Sequence, residues 1–538
     1  MLTSWLEMIP FEVLHAHPWL CVYRAWGSYW RGQRDSIQEE CLRLAEEAAN
    51  FVEDDLDKKR LRGHIETIHA HMALVIKDVP LALEKARQAL DLLPETDGMR
   101  SEAAIALAAA YWANGDVVNT KKAFVMARDE AIRIDNRSMA AGSSGYIALQ
   151  QIKQGLLDEA VSTLRRGLKF ATLSDASEMP MAGFLNIRLG DIWREKNKLD
   201  VAKEYLIKGV TQCERLGQPD LLTDAYVCQA RYLLSAGELD GSHAYLDKAE
   251  LLANEAKVDP WILCWINDCR IRAWLADGDL EAANLWVENC GLSMDDPLDY
   301  QQDLHHQNLV RVFVARHVSM HSENDFTAAE RLLNRLQIAA KYAGWVHEEI
   351  KFLVLRAINS AAAGLTDQAL QTLMNAVILA HPGGYIRVFL NEGQFLLNLF
   401  KRLKQTILSR PGEIFEPFRE LVQSIPQEVF EDDISRIIDG FTTLQGYEKL
   451  VKPGRQPEPP IFEPLTQSRP VGQPFEKLTS REMDVLNLLA QGFPDKKIAE
   501  RLVITRGTVH KHLKNIYEKL SVHSRMEAVI RAQELGLL

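Results

Sequence analysis

A chain of 538 residues is too long for one hydrophobic core and must divide into domains. With 47% hydrophobic and 25% charged residues it has the make-up of folded, soluble protein, and no apolar run reaches the length of a membrane-spanning helix. The net charge of −12 argues against nucleic-acid binding by the surface as a whole, yet residues 475–538 hold 11 Lys and Arg against 8 Asp and Glu, so +3 there leaves −15 for the remainder.

The N-terminus shows no basic-then-apolar leader. The seven cysteines (Cys21, Cys41, Cys213, Cys228, Cys264, Cys269 and Cys290) are scattered, odd in number and never spaced CxxC. Buried thiols in a reducing cytoplasm are expected, with no disulfide framework.

Residues 1–380 read as helix throughout, and they repeat. A turn-like break recurs at Gly115-Asp116, Gly155-Leu156, Asn197-Lys198, Gly237-Glu238 and Gly278-Asp279, in steps of 40, 42, 40 and 41 residues. An amphipathic helix of similar pattern follows each break, such as LLDEAVSTL after Gly155 and KLDVAKEYL after Asn197. Less regular breaks fall near Gly32, Asp78, Asn324 and Gly364. About nine helical hairpins result. Two helices per period of about 40 residues define an all-α, TPR-like solenoid, because one hairpin cannot bury its apolar face and stacking buries it against the next. Small residues such as Ala160, Ala202 and Ala282 let the helices approach. The solenoid is either a receiver for a small molecule or protein effector, or a spacer.

All 11 tryptophans precede residue 346, with Trp261, Trp265, Trp274 and Trp286 close together. They are expected mainly in the core between helices, with a stacking groove as the alternative. His305-His306, with His317 and His321, have no carboxylate or Cys at ligand spacing and are expected on the surface, without metal. No HExxH, GxSxG or dinucleotide fingerprint occurs, so neither an enzyme nor a cofactor is expected.

Residues 381–446 keep helical patterning but leave the repeat, and read as a helical cap. Residues 447–474 hold seven prolines and read as an extended linker.

Residues 475–538 read as a small four-helix domain. Thr479 and Glu482 form a capping box for its first helix. A second helix starts at Pro494-Asp495 and ends at Leu502, and Thr505 caps a third that runs to about Leu520. Two helices about a tight turn are the geometry of a helix-turn-helix, whose recognition helix lies in the major groove of double-stranded DNA. Arg506, His510, Lys511 and Lys514 recur at helical spacing, with no acidic residue before Glu518. These are the candidate base contacts; Lys496, Lys497, Thr505 and Thr508 are candidate phosphate contacts, with Val509 beside them. On residue type alone, a DNA reader and a solvated basic helix fit equally.

The residue order favours the reader. Leu478-Thr479, Arg481-Glu482, Gly492, Lys497, Ile498-Ala499, Leu502, Thr508-Val509, His512 and Lys519-Leu520 closely resemble the LuxR-type helix-turn-helix domain. Asp495 stands where that family has Asn, and His510 where it has Lys. The resemblance implies a fourth helix that pairs two domains on DNA, with Ser524, Ala528, Val529, Ala532 and Leu535 as the candidate dimer face. The opening WLEMIPFEVLHAHPWLCVYRAW and the stretch from Gly384 through Gly393 extend the likeness to the large ATP-binding LuxR-type regulators, the group of the maltose-regulon activator. The chain has no GxxxxGK[ST] motif, so ATP-driven assembly is not carried over. The expectation is a cytoplasmic, dimeric transcription regulator with DNA and an effector as partners and RNA polymerase as a further candidate. The alternative is an interaction scaffold with a degenerate reader.

Overall fold

A computed structural model describes residues 17–30, 36–256, 260–298, 305–409, 426–448, 478–490, 495–502, 504–520 and 525–535, with a few single positions besides. Residues 449–474 of the proline-rich stretch, and the break near Gly32, lie outside the described residues. The chain divides into two compact units, Met1–Ile147 with Arg166–Glu178, and Ala148–Arg165 with Met179–Leu538.

The first unit holds α1 (Pro18–Trp30), α2 (Ser36–Ala49), α3 (Asp55–Val75), α4 (Val79–Leu92), α5 (Met99–Ala113) and α6 (Val117–Arg133). Two helices, α7 (Arg137–Lys153) and α8 (Leu157–Ala171), contribute to both units. The second unit continues with α9 (Ala182–Glu195), α10 (Leu199–Leu216), α11 (Pro219–Ser235), α12 (Leu239–Ala256), α13 (Pro260–Asp277), α14 (Leu280–Asn289), α15 (Gln307–Met320), α16 (Glu323–Ala343), α17 (Val346–Ala362) and α18 (Thr366–Ala380). These eighteen helices form nine consecutive pairs. After them come α19 (Arg387–Leu390), α20 (Gly393–Ser409) and α21 (Gln427–Glu448). The described residues contain no strand, only an isolated bridge between Thr172 and Glu178.

The pair turns follow one local rule. The residue that ends the first helix takes a left-handed conformation, at Gly115, Gly155, Asn197, Gly237, Gly278 and Gly364. Glycine adopts that conformation without a Cβ clash, and Asn tolerates it. An Asp or Ser then often caps the second helix. Asp78, Asp116, Asp279 and Ser322 accept from the backbone N–H three residues on, at 3.0, 3.1, 2.9 and 3.2 Å. One break differs from expectation. It lies at His321, which takes φ 52°, and not at Asn324, which sits inside α16.

Close helix approach also rests on glycine. A Cβ on Gly209 of α10 would lie 2.7 Å from the Ile187 methyl and 2.9 Å from the Ile187 backbone nitrogen on α9. Gly209→Ala should therefore destabilise by about 1–2 kcal/mol, net of the roughly 1 kcal/mol that alanine gains in a helix. Denaturant unfolding measures this; an unchanged midpoint would show that the helices can part freely. Ala160 and Ala202 are fully buried, whereas Ala282 is only half-buried and its neighbour Ala283 fills the core position.

Several interior positions are polar. Nearly every side chain of α9 is buried, including Arg188, Arg194 and Glu195. Arg188 pairs with Asp224 of α11, and its Nη2 also reaches Cys228 Sγ at 3.3 Å. The Trp265 ring has the guanidinium carbons of Arg188 and Arg231 each 5.4 Å from its centroid. Asp191 meets Arg194 at 2.8 Å and Arg231 at 3.7 Å. Trp274, Trp286 and Trp345 are buried, in accord with a core role. All seven cysteines are buried and none is in a disulfide.

His321 is exposed as expected, but the other three histidines differ from expectation. His305, His306 and His317 are buried, and burial pushes the His305 imidazole down to about 4. His305 Nε2 lies 3.2 Å from Asn267 Nδ2, His306 Nε2 3.0 Å from the Ser293 carbonyl, and His317 Nδ1 3.0 Å from the Ser322 carbonyl. They act as interior hydrogen-bonding groups between turns and helices.

Candidate nucleic-acid interface

The C-terminal helices are α22 (Ser480–Ala490), α23 (Asp495–Leu502), α24 (Arg506–Leu520) and α25 (Arg525–Glu534). Their apolar faces meet in one cluster containing Val485, Leu486, Leu489, Ile498, Val509, Leu513, Ile516 and Leu520. The capping box forms: Thr479 N donates to Glu482 Oε2 at 2.8 Å, and Glu482 N donates to Thr479 Oγ1 at 3.3 Å. The same carboxylate receives Lys519 Nζ at 2.8 Å, so the end of α24 is tied to the start of α22. Burial alone would raise the Glu482 carboxyl, but the Lys519 and Thr479 hydrogen bonds outweigh it and hold it down at about 2.

At the other end of α24, Thr505 Oγ1 accepts from Thr508 N at 3.1 Å and lies 2.8 Å from Thr508 Oγ1. This cap starts the helix at Arg506. His510, Lys511 and Lys514 are all exposed, and so is Lys497 on α23. Residues 510 and 514 are one turn apart, and 511 and 514 three residues apart, so they share one face. Thr505 is exposed and Thr508 half-buried at its edge. The side chains of Lys496 and Arg506 lie outside the described residues.

Two expectations are corrected here. Val509 is fully buried in the domain core and cannot reach DNA without unfolding α24. Ala528, Val529 and Ala532 are likewise buried in that cluster, so of the candidate dimer residues only Leu535 is exposed; Ser524 lies outside the described residues. The reason is the 3.6-residue period, which sends the face that matches helix-packing positions into the domain's own core.

Sequence reasoning missed the Arg525 anchor. Arg525 pairs with Asp495 at the start of α23, donates to the Phe493 carbonyl, and donates through Nε to Tyr342 Oη of α16 at 3.0 Å. The acidic residue at 495, a departure from the resembled pattern, is thus half of an ion pair that fixes α23 against α25. Phe493 also stacks under Arg501, at 3.9 Å from ring centre to guanidinium.

Among the described residues no group of three or more His, Cys, Asp or Glu is placed to hold a metal ion, and no helix is long and apolar enough to cross a membrane.

Paired helices in series, followed by four short helices with one exposed basic recognition face, define a helical-repeat protein with a helix-turn-helix reader. Residues 63–406 match the MalT-like TPR region, and the chain belongs to that family. Residues 476–532 match the bacterial regulatory proteins of the luxR family. The HTH-type transcriptional regulator MalT of Vibrio parahaemolyticus is 24% identical over 538 residues, covering 98% of this chain and 55% of that protein. Its namesake from Serratia proteamaculans is also 24% identical, covering 99% and 56%. The chain therefore spans just over half the length of the curated relatives it matches. Among solved structures, a Rap protein complexed with competence and sporulation factor aligns with a TM-score of 0.48 and 10% identity, covering 67% of this chain and 98% of that one.

Proposed function

We propose that the chain is a sequence-specific DNA-binding transcription regulator. The observation that carries this is the exposed face of α24, which presents His510, Lys511 and Lys514 on a helix capped at one end by Thr505 and tied through Lys519 at the other. In this reading α24 enters the major groove, Lys511 and Lys514 reach base edges, and Thr505, Thr508 and Lys497 hold phosphates. Arg506 joins the base contacts and Lys496 the phosphate contacts, by their places in the sequence. Two copies pair on two half-sites, with Leu535 as a candidate contact between them. The helical repeats receive an effector, a small molecule or a protein, and the DNA-bound dimer acts on RNA polymerase. No catalytic role is proposed.

Lys511→Ala and Lys514→Ala should each weaken binding to the preferred site by about 1–3 kcal/mol where the residue reads a base. The control is Lys248→Ala, whose ammonium rests 4.9 Å over the Tyr245 ring on α12. Fluorescence anisotropy on a site selected from a random pool measures all three. Losses no larger than that of the control would remove the assignment.

A further inference from the structure

Residues 383–393 link the ninth helix pair to α20, and they do not run over the surface. They pass against four other elements of the second unit, all far away in sequence. Tyr385 Oη donates to the Ile152 carbonyl at the end of α7, at 3.2 Å. Ile386 N donates to the Glu195 carbonyl at 3.1 Å, Val388 N to Glu195 Oε1 at 2.6 Å, and Arg387 Nε to Asn197 Oδ1 at 2.8 Å. Glu392 is seated between two arginines: Arg311 Nη1 of α15 lies 2.7 Å from both its oxygens, and Arg272 Nη1 of α13 lies 3.0 Å from Oε1. These three side chains are only 6–11% exposed.

The other side of the same segment holds the helices that follow it. Phe389 meets Phe400 of α20 edge to face, with centroids 5.3 Å apart. Leu390 lies against α21 so closely that a Cβ on Gly440 would come within 2.9 Å of its methyl. His381 Nδ1 lies 2.6 Å from Asp433 Oδ2 of α21. The attachments thus differ in kind. Toward the repeat helices they are polar and charge-assisted; toward α20 and α21 they are largely apolar. A charge-assisted contact can be exchanged for one to an entering charged ligand, whereas an apolar contact has no such substitute.

We propose that residues 383–393 are a latch, in which Glu392 seated on Arg272 and Arg311 holds the segment, and through Leu390 the helix α21, against the first helices of the repeat pairs, so that a change in the repeats that unseats this carboxylate loosens α21. The proposal rests on the reading of the repeats as a receiver. Its chemistry is specific: the receptor is a guanidinium pair, and the occupant is the chain's own carboxylate. Because Leu390 packs against Gly440 of α21, the stability of α21 is the quantity the latch controls.

The test is hydrogen exchange on the full chain, comparing wild type with Glu392→Gln and Arg311→Gln. Each variant should speed exchange in α21 by about tenfold and leave α10 unchanged, while the double variant does no more than either single one. A DNA affinity shifted in the single variants, and shifted equally in the double, extends the latch to the reader. Unchanged exchange in α21, equal acceleration in every helix, or additive effects in the double variant would overturn it. Should both variants fail to fold, Asn197→Gly removes the Arg387 acceptor while keeping the left-handed turn, loosening the segment at its other end, and the same outcomes decide. Exchange is read without DNA, so a chain that binds no DNA would sink the proposed function while leaving the latch still to stand or fall.

Discussion

Asp224→Ala should destabilise the second unit by about 3–5 kcal/mol, because it leaves the Arg188 guanidinium buried without its partner. Both side chains are at most 3% exposed, so water cannot replace the lost carboxylate. Cys228 is too weak an acceptor to substitute, and the Trp265 and Phe184 faces offer only cation–π attraction. Replacing both members, as Arg188→Met with Asp224→Leu, should recover most of the loss, since a buried pair contributes little over apolar groups of similar size. Denaturant unfolding of both variants checks this. A single variant as stable as wild type would mean that the guanidinium reaches solvent.

The second large effect concerns acid. Glu482 is 3% exposed, and its carboxyl is held at about 2 against an ordinary value of 4.5. A depressed folded-state value contributes stability that is complete above about pH 4.5 and is lost as pH falls toward 2. At about 1.4 kcal/mol per unit this amounts to at most about 3.5 kcal/mol, a large share of what a domain of some sixty residues possesses. Far-UV circular dichroism of residues 475–538 should show helix melting in that window. Glu482→Gln should be less stable at pH 7 and nearly flat with pH below 4.5. Equal acid sensitivity in both would detach the effect from this carboxylate.

The repeat was legible because its turns need particular backbone conformations. A left-handed residue calls for Gly or Asn, and one or the other recurs every 40 to 42 residues, followed by a capping Asp at 116 and 279. Where His321 takes the left-handed position the signal fails, and the break reads three residues late. The recognition face of α24 was legible for a similar reason: an uninterrupted basic stripe opposite Leu513 and Ile516 leaves one orientation for the helix.

What stayed hidden involves pairing across long separations. Arg188 and Asp224 stand 36 positions apart and become a buried pair only when the helices stack. The histidines at 305, 306 and 317 were misplaced for the same reason, since their partners come from other turns and helices. The Glu392 seat joins residues 81 and 120 positions apart, which no local periodicity can reveal. Val509 and Ala528 were misassigned because a motif match identifies a helix without stating which face the core takes.

The central claim is specific DNA binding through the basic face of α24, and salt dependence of the full chain's affinity tests it most directly. Anisotropy titrations with a selected site and a scrambled one should show clear preference for the first. Its log–log slope with salt should be about −0.9 per phosphate contact, becoming shallower by about one contact in Lys497→Ala. Weak binding with no preferred sequence would contradict the account and leave the chain as a helical-repeat interaction scaffold.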